Sequence, residues 1–362
     1  MFANFYARHK KLKAASVFGL CMLIAACATS RQDNPSQTQE ITVITYAQQS
    51  KWREIQKFLP EPYQIQAGQE PTEEWWTWRS DRIHLDTYRN PQAKVKVILF
   101  HGVGTNGRQM MTILGRPLAL RGYETIAVDM PGYGMTQVAS NHLVTYDDWV
   151  KIGSDLIDAE LARDGRPIVL YGLSAGGMLT YNVAAVNKKV KGIAGMTFLD
   201  NRDQLVRDST SRNLFLSRVG APMMKLFSRT PFKSMRMPMN IASKMSALVN
   251  DENALKVFLS DKTSAGNAMS LAFLNSYMEH VPNTEPDAFN ICPVLLTQPA
   301  EDRWTPLSLS RPFLDRISKV PVRIVMLENA GHYPLEEPGL SVMVDSIDEF
   351  YKSVVADKLP LR

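Results

Sequence analysis

Short apolar runs recur along the chain, each closed by glycine, proline or a charged turn: Val95–Phe100, Thr125–Asp129, Pro167–Tyr171, Gly192–Asp200, Val294–Gln298 and Val322–Leu327. Runs of this length and β-branched content read as buried strands. The stretches Met110–Leu120, Asp147–Ala162 and Met178–Val186 between the early runs are rich in helix formers. Strand and helix therefore alternate, which predicts an α/β fold: a mostly parallel central sheet with helices on both faces. Ahead of the alternation, Trp75–Leu85 reads as two short strands around a polar turn, its tryptophans Trp75, Trp76 and Trp78 packing on the sheet. Tyr46–Leu59 reads as a short amphipathic helix.

The rhythm stops after Asp200 and resumes at Pro293. A structureless loop of roughly 80 residues is improbable in a compact domain, so residues 203–285 are expected to form a helical cap inserted after the sixth strand. Residues 46–202 and 286–362 then make the core. The first half of the cap interleaves Arg207, Arg212, Arg218, Lys225, Arg229, Lys233, Arg236 and Lys244 with Met223, Met224, Met235, Met237, Met239 and Met245. Two readings stand. Flexible thioethers with cationic neighbours suit an anionic lipid surface; equally, the methionines can pack on the body while the charges face water.

Composition narrows the function classes. The 362 residues with 45% apolar content hold one substantial core plus an insertion. The net charge is +5, but Arg8, Lys10, Lys11 and Lys13 precede Cys27 with no acid among them, and the remainder is left near neutral. That balance, without a basic aromatic patch, argues against a nucleic-acid partner. The cationic start and the apolar run Ala14–Ala26 read as a secretory signal, being short of the roughly 20 residues a spanning helix needs. Ile24-Ala25-Ala26-Cys27 resembles a bacterial lipobox. That resemblance implies a lipoprotein signal at 1–26, lipidation of Cys27, a flexible spacer at 27–45 and a membrane anchor in the bacterial cell envelope. In a Gram-negative cell with an enteric-type sorting rule, Ala28 in place of Asp would imply the outer membrane. An ordinary secretory signal with a chance cysteine is the alternative. On the lipobox reading Cys21 would leave with the signal and Cys27 would be acylated, which leaves Cys292 alone and no disulfide framework in the mature chain.

The chemistry gathers at the ends of the apolar runs. Gly172-Leu173-Ser174-Ala175-Gly176 lies where a strand becomes a helix. A serine on so sharp a turn is pushed out toward substrate, and the flanking glycines let strand and helix approach; a glycine-rich turn that merely holds a serine is the bland alternative. His101-Gly102-Val103-Gly104 follows another strand. Glycine loops in that place also cradle phosphate, yet neither G-K-[ST] nor G-x-G-x-x-G follows. The H-G-x-G pattern instead offers a backbone N–H to an oxyanion, with Val103 as one donor and Ala175 as the other. Asp129, before Pro131-Gly132, reads as a turn stabiliser.

A serine hydroxyl needs a base, and a neutral imidazole needs a carboxylate to set its tautomer. Asp302 and His332 stand just past the last two strands, at the edge where open parallel sheets build sites. Glu301 and then Asp200 are the alternative acids. His84, His142 and His280 read as surface or packing residues. No H-E-x-x-H, paired C-x-x-C or carboxylate cluster points to a metal or cofactor.

Taken together, His101–Gly104, Asp129–Gly134, Gly172–Gly176, Asp302 and Gly331-His332 resemble the α/β-hydrolase superfamily from about Thr77 onward. Within it the chain is most similar to the capped lysophospholipase and monoacylglycerol-lipase-like group. The resemblance implies hydrolysis of a small-molecule or lipid ester through an acyl-serine, with no cofactor and no obligate protein partner. The same triad cleaves amides, so an amidase or aminopeptidase stays open, as does a non-catalytic envelope lipoprotein.

Overall fold

Ten strands are present among residues 44–356, the part of the chain that the computed structural model describes. They are β1 (Thr72–Trp78), β2 (Asp81–Tyr88), β3 (Lys96–Phe100), β4 (Glu124–Asp129), β5 (Ile168–Gly172), β6 (Ile193–Gly195), β7 (Arg236–Pro238), β8 (Ala268–Ser270), β9 (Val294–Pro299) and β10 (Val322–Leu327). Eight build one sheet in the order β1-β2-β4-β3-β5-β6-β9-β10. From β4 to β10 every neighbour is parallel, while β1–β2 and β2–β4 are antiparallel. The expected signal, Cys27 and the start of the spacer lie outside the described residues. Among the described residues no helix is long and apolar enough to cross a membrane.

Burial explains the sequence pattern. Strands β3, β4, β5 and β9 are buried at every position, because a central parallel strand is covered on both faces and needs no polar alternation. The edge strand β10 is only partly covered. The helix Tyr146–Asp164 starts on a Thr145/Asp148 capping box and stops at Gly165 in the left-handed region. It packs against the helix Ala175–Asn187, which lies on β5 and β6; the helix Gly339–Val355 lies on β9 and β10.

Two expectations need correction. The run Gly192–Asp200 is a strand only over Ile193–Gly195; Thr197 turns back so that its hydroxyl bonds Ser174 O at 2.9 Å, and Phe198 N–H bonds Ser310 Oγ at 3.1 Å. Those bonds replace the sheet ladder. Tyr46–Leu59 holds only the single-turn helix Lys51–Ile55 and a 3-10 turn, Gln56–Phe58. It is a strap: the short helix buries Trp52 and Ile55, and Tyr46 is buried ahead of it, outside any helix. The stretch after β6 is helical as expected, and it also carries the β7–β8 ribbon.

Candidate active site

Ser174 sits at φ 54°, ψ −122°, between β5 and the helix Ala175–Asn187. A non-glycine residue there is strained by about 1–3 kcal/mol, and such strain persists only where the surroundings impose it. They do. A Cβ on Gly172 would lie 1.9 Å from Gly176 O, and one on Gly176 would lie 2.4 Å from Phe100 O. The strand, the turn and the neighbouring strand end are thus in backbone contact, and only glycine fits between them. Ser174 is almost wholly buried, and its Oγ makes no hydrogen bond among the described residues.

The β3 loop runs beside the serine: a Cβ on Gly102 would lie 2.8 Å from Ser174 Cβ. His101 fixes this loop from beneath. Its Nδ1 is 2.8 Å from Gly102 O and its Nε2 accepts Met130 N–H at 3.0 Å, which requires a neutral ring protonated on Nδ1. Burial holds the ring's pKa below its ordinary value. Gly102 O also accepts Thr105 N–H at 3.2 Å. Gly102 C=O and Val103 N–H belong to one planar peptide and point opposite ways. Pinning the carbonyl therefore aims the N–H. Neither Val103 N–H nor Ala175 N–H bonds any described residue, so two donors beside the serine are left open.

Past β9, Asp302 accepts the N–H groups of Trp304 and Thr305 on Oδ1, both at 2.8 Å. Its Oδ2 faces His332 Nδ1 at 2.8 Å and accepts the Thr305 hydroxyl at 2.9 Å. Thr305 Oγ1 is also 3.1 Å from His332 Nδ1. Burial alone would raise the Asp302 carboxyl; the His332 ring and the two backbone donors outweigh it and hold the carboxyl at about 2. His332 is fully buried against the Trp304 ring, with centroids 4.7 Å apart, and its Nε2 is unpaired. The other acids do not reach it. Glu301 is exposed, and Asp200 is engaged by Arg202 at 2.7 Å.

The two halves share one cleft, lined by Val103 and Ser174 from the first and by Trp304 and Thr305 from the second. Its walls are apolar, with Leu199, Leu216, Met224, Met237, Met239 and Leu274 among them. A shallower depression lined by Asp147, Lys151, Glu279 and His280 shares no lining residue with it.

Thr305 was not singled out in the sequence, although Asp302-x-x-Thr305 is an Asx-turn spacing that could have pointed to it. Asp129 is the turn stabiliser expected, taking Met135 N–H at 2.8 Å, Gly107 N–H at 2.7 Å and the Tyr46 hydroxyl at 3.0 Å. His142 and His280 pair with Asp81 and Asp147. His84 is more than a packing residue. Its Nε2 lies 3.0 Å from Glu73 and its Nδ1 2.8 Å from Asp129, the second contact being off hydrogen-bond alignment. Burial would lower its pKa, but the carboxylates of Asp129, Glu73 and Asp86 outweigh that and raise it to about 10. Glu73, His84 and Asp86 have metal-ligand composition. Arg108, however, already holds Asp86 at 2.5 and 3.0 Å, so a guanidinium and an imidazolium supply the positive charge at this place.

The fold and the strand-end constellation define a hydrolase-type α/β architecture. Residues 97–342 match the model of the alpha/beta hydrolase family, and the chain belongs to that family. No curated protein matches the chain in sequence. Among solved structures it is similar to a soluble variant of the monoglyceride lipase of Saccharomyces cerevisiae, bound to a substrate analog, with TM-score 0.63 and 15% identity over 82% of this chain and 99% of that one. The Paleococcus ferrophilus monoacylglycerol lipase gives TM-score 0.58 and 18% identity over 75% and 99%. Epoxide hydrolase A of Mycobacterium thermoresistibile gives 0.51 and 16% over 78% and 98%. At these identities the likeness is one of fold.

Proposed function

We propose that the protein is a serine hydrolase that cleaves carboxylic esters with an apolar acyl group. The observation that carries this reading is the strained Ser174 bordering the same apolar cleft as Thr305, whose hydroxyl touches both Asp302 and His332. Ser174 Oγ attacks the ester carbonyl carbon while His332 Nε2 takes its proton. Charge developing on the carbonyl oxygen meets the N–H groups of Val103 and Ala175, which are already fixed and need no reorganisation. Collapse of the tetrahedral adduct expels the alcohol, which receives the proton from His332. Water then attacks the acyl-serine by the same route and releases the acid. Asp302 remains ionised throughout and holds the imidazole with Nε2 free as the base. The apolar walls favour an acyl chain over a charged or polar group, which supports an ester of the lipid type.

The test is covalent labelling with a fluorophosphonate, followed by turnover of p-nitrophenyl esters of graded chain length beside aminoacyl anilides. The protein is expected to be labelled, Ser174→Ala unlabelled, and turnover to rise from acetyl to longer esters. Equal labelling of both proteins rules out Ser174 as the nucleophile; preferential cleavage of anilides rules out the ester reading.

A further inference from the structure

The segment Leu216–Phe227, a π-turn continued by an α-helix, is apolar on two faces. Leu216, Gly220, Ala221 and Met224 line the cleft. Phe215, Val219, Met223 and Leu226 follow the spacing of a second helical stripe, and they are 58%, 41%, 37% and 66% exposed. A helix apolar on both sides is normally covered on both. Leu205, Leu214, Phe232 and Ile241 are exposed as well, so eight of the thirteen exposed large hydrophobic residues among those described fall between positions 205 and 241. Single exposed apolar residues are ordinary; a concentration of this kind marks an interaction surface.

Charge identifies the partner. Positions 205–245 hold eight basic residues and one acid, Asp208. Arg218 pairs with that acid and Lys225 with Glu279. Arg212, Arg229, Lys233 and Arg236 are exposed and meet no carboxylate among the described residues. Exposed apolar side chains interspersed along the same segment with unpaired cations complement an anionic bilayer, with its acyl chains and lipid phosphates.

We infer that the outer face of residues 205–241 docks on an anionic lipid surface and sets the cleft mouth against it. That an ester drawn from the layer then reaches Ser174 rests on the proposed function; the docking itself does not. Full-length protein and the double variant Phe215→Glu/Leu226→Glu are to be followed by hydrogen–deuterium exchange in buffer, with phosphatidylcholine vesicles and with phosphatidylglycerol vesicles. Amides across 212–233 are expected to slow several-fold with phosphatidylglycerol and less with phosphatidylcholine, the helix Glu252–Ser260 remaining unchanged. The double variant should lose that protection, and its turnover of an emulsified long-chain ester should fall at least about tenfold. Its turnover of a soluble short-chain ester should stay within about twofold of the parent. Unchanged exchange across 212–233 on phosphatidylglycerol overturns the docking, as does protection in buffer that lifts on dilution, since a second copy then covers the face. A parent that hydrolyses no ester defeats the functional proposal alone, and the exchange data still decide the docking.

Discussion

Asp302→Asn tests the acid–base pair with the least change of shape. Two backbone donors bond one carboxylate oxygen, each at 2.8 Å. The carboxamide oxygen must stay on that side, because turning the NH2 there would set it against both N–H groups and forfeit two hydrogen bonds of about 1 kcal/mol each. The NH2 therefore replaces the oxygen that faces His332 Nδ1 at 2.8 Å. Nδ1 then becomes an acceptor, the ring proton moves to Nε2, and the base that the proposed mechanism assigns to Ser174 is lost.

The variant also removes the charge that stabilises an imidazolium. At about 4 Å and an effective dielectric near 20 this is worth roughly 4 kcal/mol, or about three decades in rate. A fall in kcat/KM of roughly 10³ to 10⁴ is expected on a p-nitrophenyl ester, with KM little changed and circular dichroism unaltered. Because the Asp302 carboxyl lies at about 2, the parent carboxylate is ionised across pH 5–8, and its own titration does not shape the parent's pH profile over that range. Glu301→Gln and Asp200→Asn should stay within about threefold of the parent, since neither side chain faces His332. A loss under tenfold in Asp302→Asn, or an equal loss in Glu301→Gln, would refute the assignment of the acid.

Thr305→Val removes one donor to Asp302 without touching its charge; kcat should fall about tenfold with KM steady, and Thr305→Ser should restore most of it, as stopped-flow measurement of acylation can show. Met224→Trp fills the cleft wall, so the ester chain-length profile should shift toward shorter acyl groups while acetyl ester turnover holds. His84, raised to about 10 by its carboxylates, gives a stability term fully present below about pH 6.5 and lost as pH climbs through 10. The urea stability of the parent relative to His84→Gln should therefore shrink by a few kcal/mol over that interval, and a constant difference would disprove the charged state of the ring.

Features that depend on neighbouring residues could be read from the chain itself. Ser174 declares its turn through Gly172 and Gly176, and Asp302 and His332 each stand just beyond a short apolar run, so the parallel sheet brings them to one edge. Features set by register could not. His84 meets Asp129 because β2 pairs with β4 at that residue, and Glu73 meets Asp86 because β1 pairs with β2 there; nothing local in either strand announces the partner. The contraction of the sixth strand likewise depends on Phe198 meeting Ser310, more than a hundred positions away.

The cap shows the same division from the other side. Its alternating methionines and basic residues left two readings open, packing on the body or contact with lipid, because composition does not say which side of a helix is covered. In the fold the two roles fall to different residues. Met224, Met237 and Met239 turn inward to the cleft and Met245 lies against Gly104, while Phe215, Leu226 and Phe232 carry the outer apolar face among the cations. Thioethers, which repack around varied shapes, thus form part of the cleft wall. Phenylalanine and leucine, with Val219 and Met223, make up the outer face, and over Leu216–Phe227 both faces belong to one helical segment, so whatever covers that segment outside lies one helix thickness from the serine's cleft.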